Sequence, residues 1–170
     1  MAMHSHTIAR RLEALYPDRP LRFDEAIVQD AEKVVADVAG VLWWDALVYV
    51  QDHCLEERSR EFFAGTRREV FGASLEELAG MKGGEGAWME AGRKGGVVEG
   101  LVEFVTGKWR GEGEEGPFVL GREVSFADFV VVGVLECFRR TDGRVFERLM
   151  GWEGLKGLWE ACGPWLERDD

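Results

Sequence analysis

Residues 124–140, VSFADFVVVGVLECFRR, contain the segment from which the fold class of the chain can be inferred. The valine-rich run at 129–135 is compatible with a buried strand by propensity alone. Ser125 and Asp128 favour a helix instead, because they have the S-x-x-D spacing of a capping box. Since this helix is apolar on nearly all faces, we expect it to run through the middle of a helical bundle.

Helical patterns also cover most of the remaining chain. Apolar residues recur at helical spacing, and caps, glycines or prolines bound each run. The predicted helices are 5–16, 24–53, 56–71, 74–79, 88–109, 143–150 and 155–162. Ser74 and Glu77 have the spacing of a second capping box. Glycine-rich breaks are expected at 80–86 and 111–116, and the whole pattern predicts an all-α chain.

The charge balance argues against anionic partners. The chain carries 32 acidic residues against 21 basic ones, a formal net charge of −11 at pH 7. Such a surface repels phosphate backbones and lipid headgroups, so we expect no nucleic acid and no membrane as partners. The loop at 111–116 does not suit phosphate either, because it lacks a lysine and its glutamates would repel the ligand.

The cysteines and the apolar runs bear on the cellular compartment. Cys54, Cys137 and Cys162 are odd in number and far apart, which favours reduced thiols over a disulfide framework. The run at 129–135 is far shorter than the roughly 20 residues that span a bilayer, and no secretory leader is expected. We therefore expect a cytoplasmic protein.

Several short motifs together resemble one known family. They are PFVLG at 117–121, SFADF at 125–129, EFF at 61–63, TRRE at 66–69, FG at 71–72 and ACGPWLER at 161–168. The combination resembles the C-terminal helical domain of the glutathione transferases, in the fungal branch related to bacterial β-etherases. In that family the same S-x-x-D box begins the central helix. The resemblance implies an all-α, glutathione-transferase C-terminal-like helical bundle.

The first residues resemble another part of the same family. Ser5, Ile8 and Leu12, followed by a Tyr-Pro pair, are similar to the last helix of its N-terminal thioredoxin-like domain. The resemblance divides the chain into two parts. Residues 1–22 are expected to be a remnant of that helix with a linker, and residues 23–170 to be the helical domain.

A remnant of the glutathione site is implied at Ser5. In the family an acid–serine pair binds the γ-glutamyl end of glutathione, and here Ser5 matches the serine while His4 replaces the acid. Because only four residues precede Ser5, the resemblance leaves no place for the rest of that site. We therefore expect a vestigial cofactor-binding residue and no cofactor. His4 and His6 lack convincing further ligands, so no metal site is expected.

The resemblance also suggests a ligand pocket. In the family the helical domain supplies the pocket for the hydrophobic co-substrate, which implies substrate-binding roles for Trp43, Trp44 and Tyr49. Aromatic walls suit flat, apolar ligands. His53 is the candidate catalytic proton carrier for an isomerisation, a dehydration or a cyclisation. The alternatives remain open that the three aromatic residues belong to the core and that His53 is a surface residue.

Three functional hypotheses follow from the resemblance. The first is a truncated glutathione-transferase-like protein that binds a hydrophobic small molecule. It would be an enzyme of fungal secondary metabolism or detoxification, of isomerase, cyclase, lyase or transferase type, without ordinary glutathione conjugation. The second is a non-catalytic dimerisation or protein-interaction module, with a homodimer as the simplest assembly. The third is a fragment whose glutathione-binding half is missing.

Overall fold

The computed structural model describes residues 5–18, 20–111 and 115–167, apart from the side chains of Ser5 and Lys108. Within these ranges the chain forms ten α-helices: α1 Ser5–Leu15, α2 Glu25–Leu42, α3 Trp44–Tyr49, α4 Glu57–Phe71, α5 Leu75–Lys82, α6 Gly84–Arg93, α7 Val97–Glu103, α8 Phe126–Thr141, α9 Gly143–Leu149 and α10 Glu153–Leu166. Short π-helical turns continue α3 through Val50–Cys54 and α7 through Phe104–Lys108. The only β pairing in the described ranges is one isolated bridge, so the all-α prediction is confirmed.

Helix α8 is the centre of the bundle, and its predicted capping box is confirmed. The carboxylate of Asp128 is fully buried. It accepts the N–H and the hydroxyl of Ser125, both at 2.7 Å, and the N–H of Val119 at 2.8 Å. One side chain therefore fixes both the start of α8 and the turn that precedes it.

The core lies around α8, with α2 packed along it and α3, α9 and α10 in contact with it. Val38 of α2, Leu101 of α7, Leu135 of α8 and Leu158 of α10 are all fully buried there. In the described part of the chain no single helix is long and apolar enough to cross a bilayer. Only α2 taken together with Trp44–Cys54 has that length and composition, and the two are bent by 76°.

The single long helix predicted at 24–53 is wrong, because the chain turns at Trp43. Helix α2 ends at Leu42. The Trp43 N–H donates a 3.1 Å hydrogen bond to the Ala39 carbonyl, which closes the last turn of the helix. The direction then changes by 76°, and α3 packs against α5 and α8. Gly40 in the last turn of α2 is the nearest helix-weakening residue, and the Trp43 ring packs against the core at the turn itself.

The glycine-rich break predicted at 80–86 is also wrong, because helix fills almost all of it. The capping box at Ser74 and Glu77 is confirmed, but α5 continues to Lys82 and α6 begins at Gly84. A carboxylate oxygen of Asp45 accepts the N–H of Gly84 at 2.8 Å. This cap comes from 39 residues away along the chain, which is why the local sequence does not predict the helix that it begins.

Two further helix predictions need changed limits. The helix predicted at 88–109 is divided, because Gly95 and Gly96 take φ values of +82° and +71° between α6 and α7. The helix predicted at 155–162 is longer, since α10 passes through Pro164 to Leu166. The loop predicted at 111–116 falls largely on residues 112–114, which lie outside the described residues.

Helix α1 lies against the starts of α2 and α8, and its predicted limits are confirmed to within one residue. The ring of His6 meets that of Phe23 at 5.4 Å, and Arg10 pairs with Glu25 at 2.9 Å. Ala9 is buried. The linker that follows α1 is tied to α8 by a 2.7 Å hydrogen bond from the Phe126 N–H to the Leu21 carbonyl.

Candidate functional site

An open, largely apolar cleft lies beside the junction of α2 and α3, with α4 as its far wall. Its volume is about 540 Å³, within the range of roughly 300–1,000 Å³ that is typical of small-molecule sites. Most of its wall comes from Trp43, Trp44, Leu47, Arg67 and Phe71. We call it the tryptophan cleft. Trp43 and Trp44, two of the residues that the sequence singles out, therefore share a wall.

The two tryptophans play different structural parts in this wall. Trp43 packs against the core, with its ring 6.0 Å from that of Phe138. Its Nε1 atom is buried and has no hydrogen-bond partner among the described residues. The ring of Trp44 instead meets Phe71 edge to face at 5.5 Å, and the Lys82 ammonium lies 4.7 Å from its centroid. Trp43 therefore belongs both to the core and to the wall of the cleft, whereas the Trp44 ring contacts Phe71 of the far wall.

Helix α4 forms the outer wall of the tryptophan cleft, and its side chains are largely exposed to solvent. The structure describes every residue of this helix, and none of them is buried. Phe62 and Val70 are 74% and 70% exposed. The guanidinium of Arg67 lies 4.6 Å from the centroid of the Phe63 ring, which positions a positive charge at the edge of the cleft. This wall therefore combines an aromatic face at Phe71 with a cation.

A second cleft, of about 690 Å³, lies between α3, α5 and α9. Its ionisable lining residues are Asp45, Tyr49, His53, Glu76, Asp142, Arg144 and Glu147, and we call it the acidic cleft. Tyr49 and His53 thus line a different cleft from Trp43 and Trp44. Because Trp44 and Asp45 are adjacent on α3, their side chains point about 100° apart. The two clefts therefore open on different sides of α3.

His53 is held against Tyr49 at the acidic cleft. The two rings are stacked with centroids 4.4 Å apart, and Nδ1 of His53 lies 3.2 Å from the Tyr49 carbonyl oxygen. Since a carbonyl only accepts, Nδ1 carries the hydrogen and Nε2 is the basic nitrogen of the neutral ring. Glu76 lines the same cleft, and hydrogen bonds from its own backbone N–H and the Gln51 amide lower its pKa.

The remaining candidate residues offer little chemistry. Burial raises the pKa of the Cys162 thiol to about 12, so it stays protonated and unreactive at neutral pH. Over the described residues, no group of three or more His, Cys, Asp or Glu side chains could hold a metal ion. His6 instead bonds Glu32 at 2.6 Å. His4 and the side chain of Ser5 lie outside the described residues, so the vestigial role of Ser5 stays a prediction.

Sequence reasoning missed part of both clefts. Arg67 and Phe71 belong to the TRRE and FG motifs that carry the family resemblance, and those motifs were the only signal available for them. Asp142 stands before Gly143, where a D-G pair marks a boundary between helices. Nothing in the local sequence indicates that Asp142 lies beside Tyr49 and His53.

Comparison with known proteins identifies the family. The family model for "Glutathione S-transferase, C-terminal domain" matches residues 27–165. The chain belongs to the glutathione S-transferase superfamily. The "Glutathione S-transferase-like protein ustS" of Aspergillus flavus is 32% identical over an alignment of 172 positions that covers 97% of this chain. The chain spans 61% of the length of that relative. No solved structure gives a significant match.

The family assignment confirms the resemblance inferred from the motifs. The capping box at Ser125 and Asp128 and most of the quoted motifs lie inside the matched residues. The helical fold of the C-terminal domain agrees with the observed bundle. The boundary proposed at residue 22 stays a prediction, although the family match begins close to it, at residue 27.

Proposed function

We propose that this glutathione S-transferase-like chain binds a flat, hydrophobic small molecule in the tryptophan cleft. The observation that carries the proposal is the edge-to-face pair of Trp44 and Phe71 at the rim of an apolar cleft. Rigid aromatic walls bury much ligand surface at little entropic cost. The Arg67 guanidinium in the lining of the cleft favours a ligand that carries a negative charge.

The wider proposal is an enzyme of secondary metabolism or detoxification that acts on this ligand without ordinary glutathione conjugation. Membership of the transferase superfamily and a fungal relative support it. His53 is the proposed proton carrier, but it lines the acidic cleft. Because the clefts open on different sides of α3, proton transfer by His53 requires a substrate that reaches the acidic cleft.

The binding proposal can be tested with anilinonaphthalene sulfonate, a flat apolar anion that fluoresces when it is shielded from water. Trp44→Ala should weaken binding about tenfold, because it removes an aromatic wall and its buried contact area. Trp152→Ala is the matched control, since that ring is partly exposed and lies elsewhere. Glutathione, titrated calorimetrically at millimolar concentration, should give no binding heat.

Two results would contradict the binding proposal. Equal loss of affinity in Trp44→Ala and Trp152→Ala would show that the probe binds general apolar surface. Undiminished binding in both Trp44→Ala and Phe71→Ala would show that the probe occupies another place. Circular dichroism of each variant separates a lost ligand contact from a lost fold.

A second candidate function is a dimerisation module, and the outer face of α1 favours it. Ile8, Leu12, Leu15 and Tyr16 are 49%, 43%, 57% and 64% exposed, and the first three follow helical spacing along one face. Exposed apolar stripes of this kind mark interaction surfaces. We propose that two copies of the chain pair through α1. Sedimentation equilibrium should show a concentration-dependent dimer that Leu12→Glu dissociates, and a monomer at all concentrations would refute it.

A further inference from the structure

Helix α4 carries an outer face that no other described part of the chain covers. It packs on α5 and on the π-helical turn Val50–Cys54, and none of its own residues is buried. The exposed residues of this face include Arg58, Phe62, Gly65 and Glu69. Their spacing of four, three and four residues places them on one stripe of the helix, which we call the α4 stripe. Phe62 at its centre, with Val70 exposed nearby, forms an apolar surface that can bind a partner.

The two ends of the α4 stripe carry opposite charges. Arg58 lies near the start of the helix and Glu69 near its end. Within the described residues neither side chain forms an ion pair or a hydrogen bond. On two antiparallel copies of α4 the start of one stripe faces the end of the other, so each Arg58 meets the Glu69 of the other copy. A parallel pair would place like charges opposite each other, which disfavours that arrangement.

The middle of the α4 stripe is complementary in shape under the same pairing. A two-fold axis that places Arg58 opposite Glu69 also places Phe62 opposite Gly65, because both pairs are centred between residues 63 and 64. A Cβ added at Gly65 would meet no described atom within 4 Å, so the space above this glycine is open. The large Phe62 ring of each copy therefore fits over the residue with the smallest side chain on the other, as a ridge fits a groove in helix packing.

A groove beside Phe62 supplies a further apolar contact. Its volume is about 490 Å³, and its lining consists of Leu55, Arg58, Ser59, Phe62 and Phe63. Val70 lies on the same side of α4 as Ser59, because eleven residues make about three turns of helix. In an antiparallel pair each side of one helix meets the same side of the other. The exposed Val70 of the second copy then lies opposite residue 57, next to Leu55 and Ser59 of this groove.

We propose that a second copy of the chain docks antiparallel on the α4 stripe, with Arg58 paired to Glu69 and Phe62 packed on Gly65, each contact made twice. The stripe spans only about 16 Å at 1.5 Å per residue, so the contact is smaller than a standard interface and the dissociation constant should be micromolar. Phe71 follows Phe62 by nine residues and lies on the opposite side of α4, which leaves the tryptophan cleft open. The surface is also separate from the face of α1, so it depends on neither function proposed above.

The test is sedimentation velocity of the full chain over a range of protein concentrations, at low ionic strength. All variants are made in the Leu12→Glu protein, in which the contact proposed for α1 is removed. The wild type is measured beside it, so that success or failure of the α1 contact is recorded separately. Lys156→Glu is the control for a changed net charge, since Lys156 is an exposed cation on α10. Circular dichroism confirms that each variant is folded.

The Leu12→Glu protein should still dimerise reversibly, and added salt should weaken the dimer. Arg58→Glu should lower the association constant about tenfold or more, because it places two carboxylates opposite each other at both ends of the interface. Glu69→Arg should act in the same way, whereas the double variant with both changes should recover the original constant, since its reversed charges attract again. Phe62→Ala should also weaken the dimer about tenfold, and Lys156→Glu should leave it unchanged.

Several outcomes would overturn this assignment of the α4 stripe. A Leu12→Glu protein that stays monomeric at all concentrations would show that α4 does not pair. Equal weakening in Arg58→Glu and Lys156→Glu would show that only net charge matters. A double charge reversal that stays as weak as the single variants would rule out the antiparallel register, because neither loss of fold nor net charge explains a missing recovery. Unchanged association in Phe62→Ala would show that the ring lies outside the interface.

Discussion

Replacement of Asp128 by alanine should destabilise the chain far more than loss of an ordinary helix cap. The substitution removes the acceptor of two backbone N–H groups, those of Ser125 and Val119, and both residues are buried. An unsatisfied buried donor costs about 1–3 kcal/mol. The expected loss in the free energy of unfolding is therefore about 2–6 kcal/mol, obtained by adding the two donors. Ser125→Ala removes the hydroxyl of the capping box but leaves the Asp128 carboxylate with both backbone donors, and should cost about 1 kcal/mol.

Equilibrium unfolding in urea, followed by circular dichroism, measures these differences. Ser74→Ala is the matched control, because Ser74 caps α5 in a capping box at the protein surface, and its loss should cost about 1 kcal/mol. The reasoning depends on burial and not on capping alone. It is refuted if Asp128→Ala loses no more stability than Ser74→Ala.

Two other predictions concern thiols and glycines. Iodoacetamide should modify the exposed Cys54 more than about a hundred times faster than Cys162, whose pKa of about 12 leaves almost no thiolate at neutral pH. Mass spectrometry of the modified peptides measures the two modification rates, and unfolding in guanidinium should make them equal. Comparable rates in the folded chain would contradict the burial of Cys162. Gly83→Ala should destabilise the chain by about 1–3 kcal/mol, because a Cβ there lies 2.6 Å from the Ala79 carbonyl oxygen. Gly80→Ala, where a Cβ meets no described atom within 4 Å, should be neutral or slightly stabilising in thermal unfolding, and equal effects would argue against the clash.

The sequence predicted several residues of the candidate site but not which of them share a cleft. The sequence predicts one helix that contains Trp43, Trp44, Tyr49 and His53. The turn at Trp43 and the side-chain directions on α3 divide this set between two clefts. Phe71, which lies 27 residues after Trp44 at the end of α4, completes the tryptophan cleft. Periodicity within one segment contains no information about that contact.

The sequence by itself determined the features that depend on neighbours along the chain. The capping boxes at Ser125 and Ser74, the helical class and the family follow from residue types at fixed short spacings, because backbone hydrogen bonding in a helix is local. Tertiary structure alone decided the turn at Trp43, the cap that Asp45 gives to α6 and the position of Asp142 in the acidic cleft. Each of these depends on packing between segments far apart in the chain, which forms only when the bundle excludes water from its core.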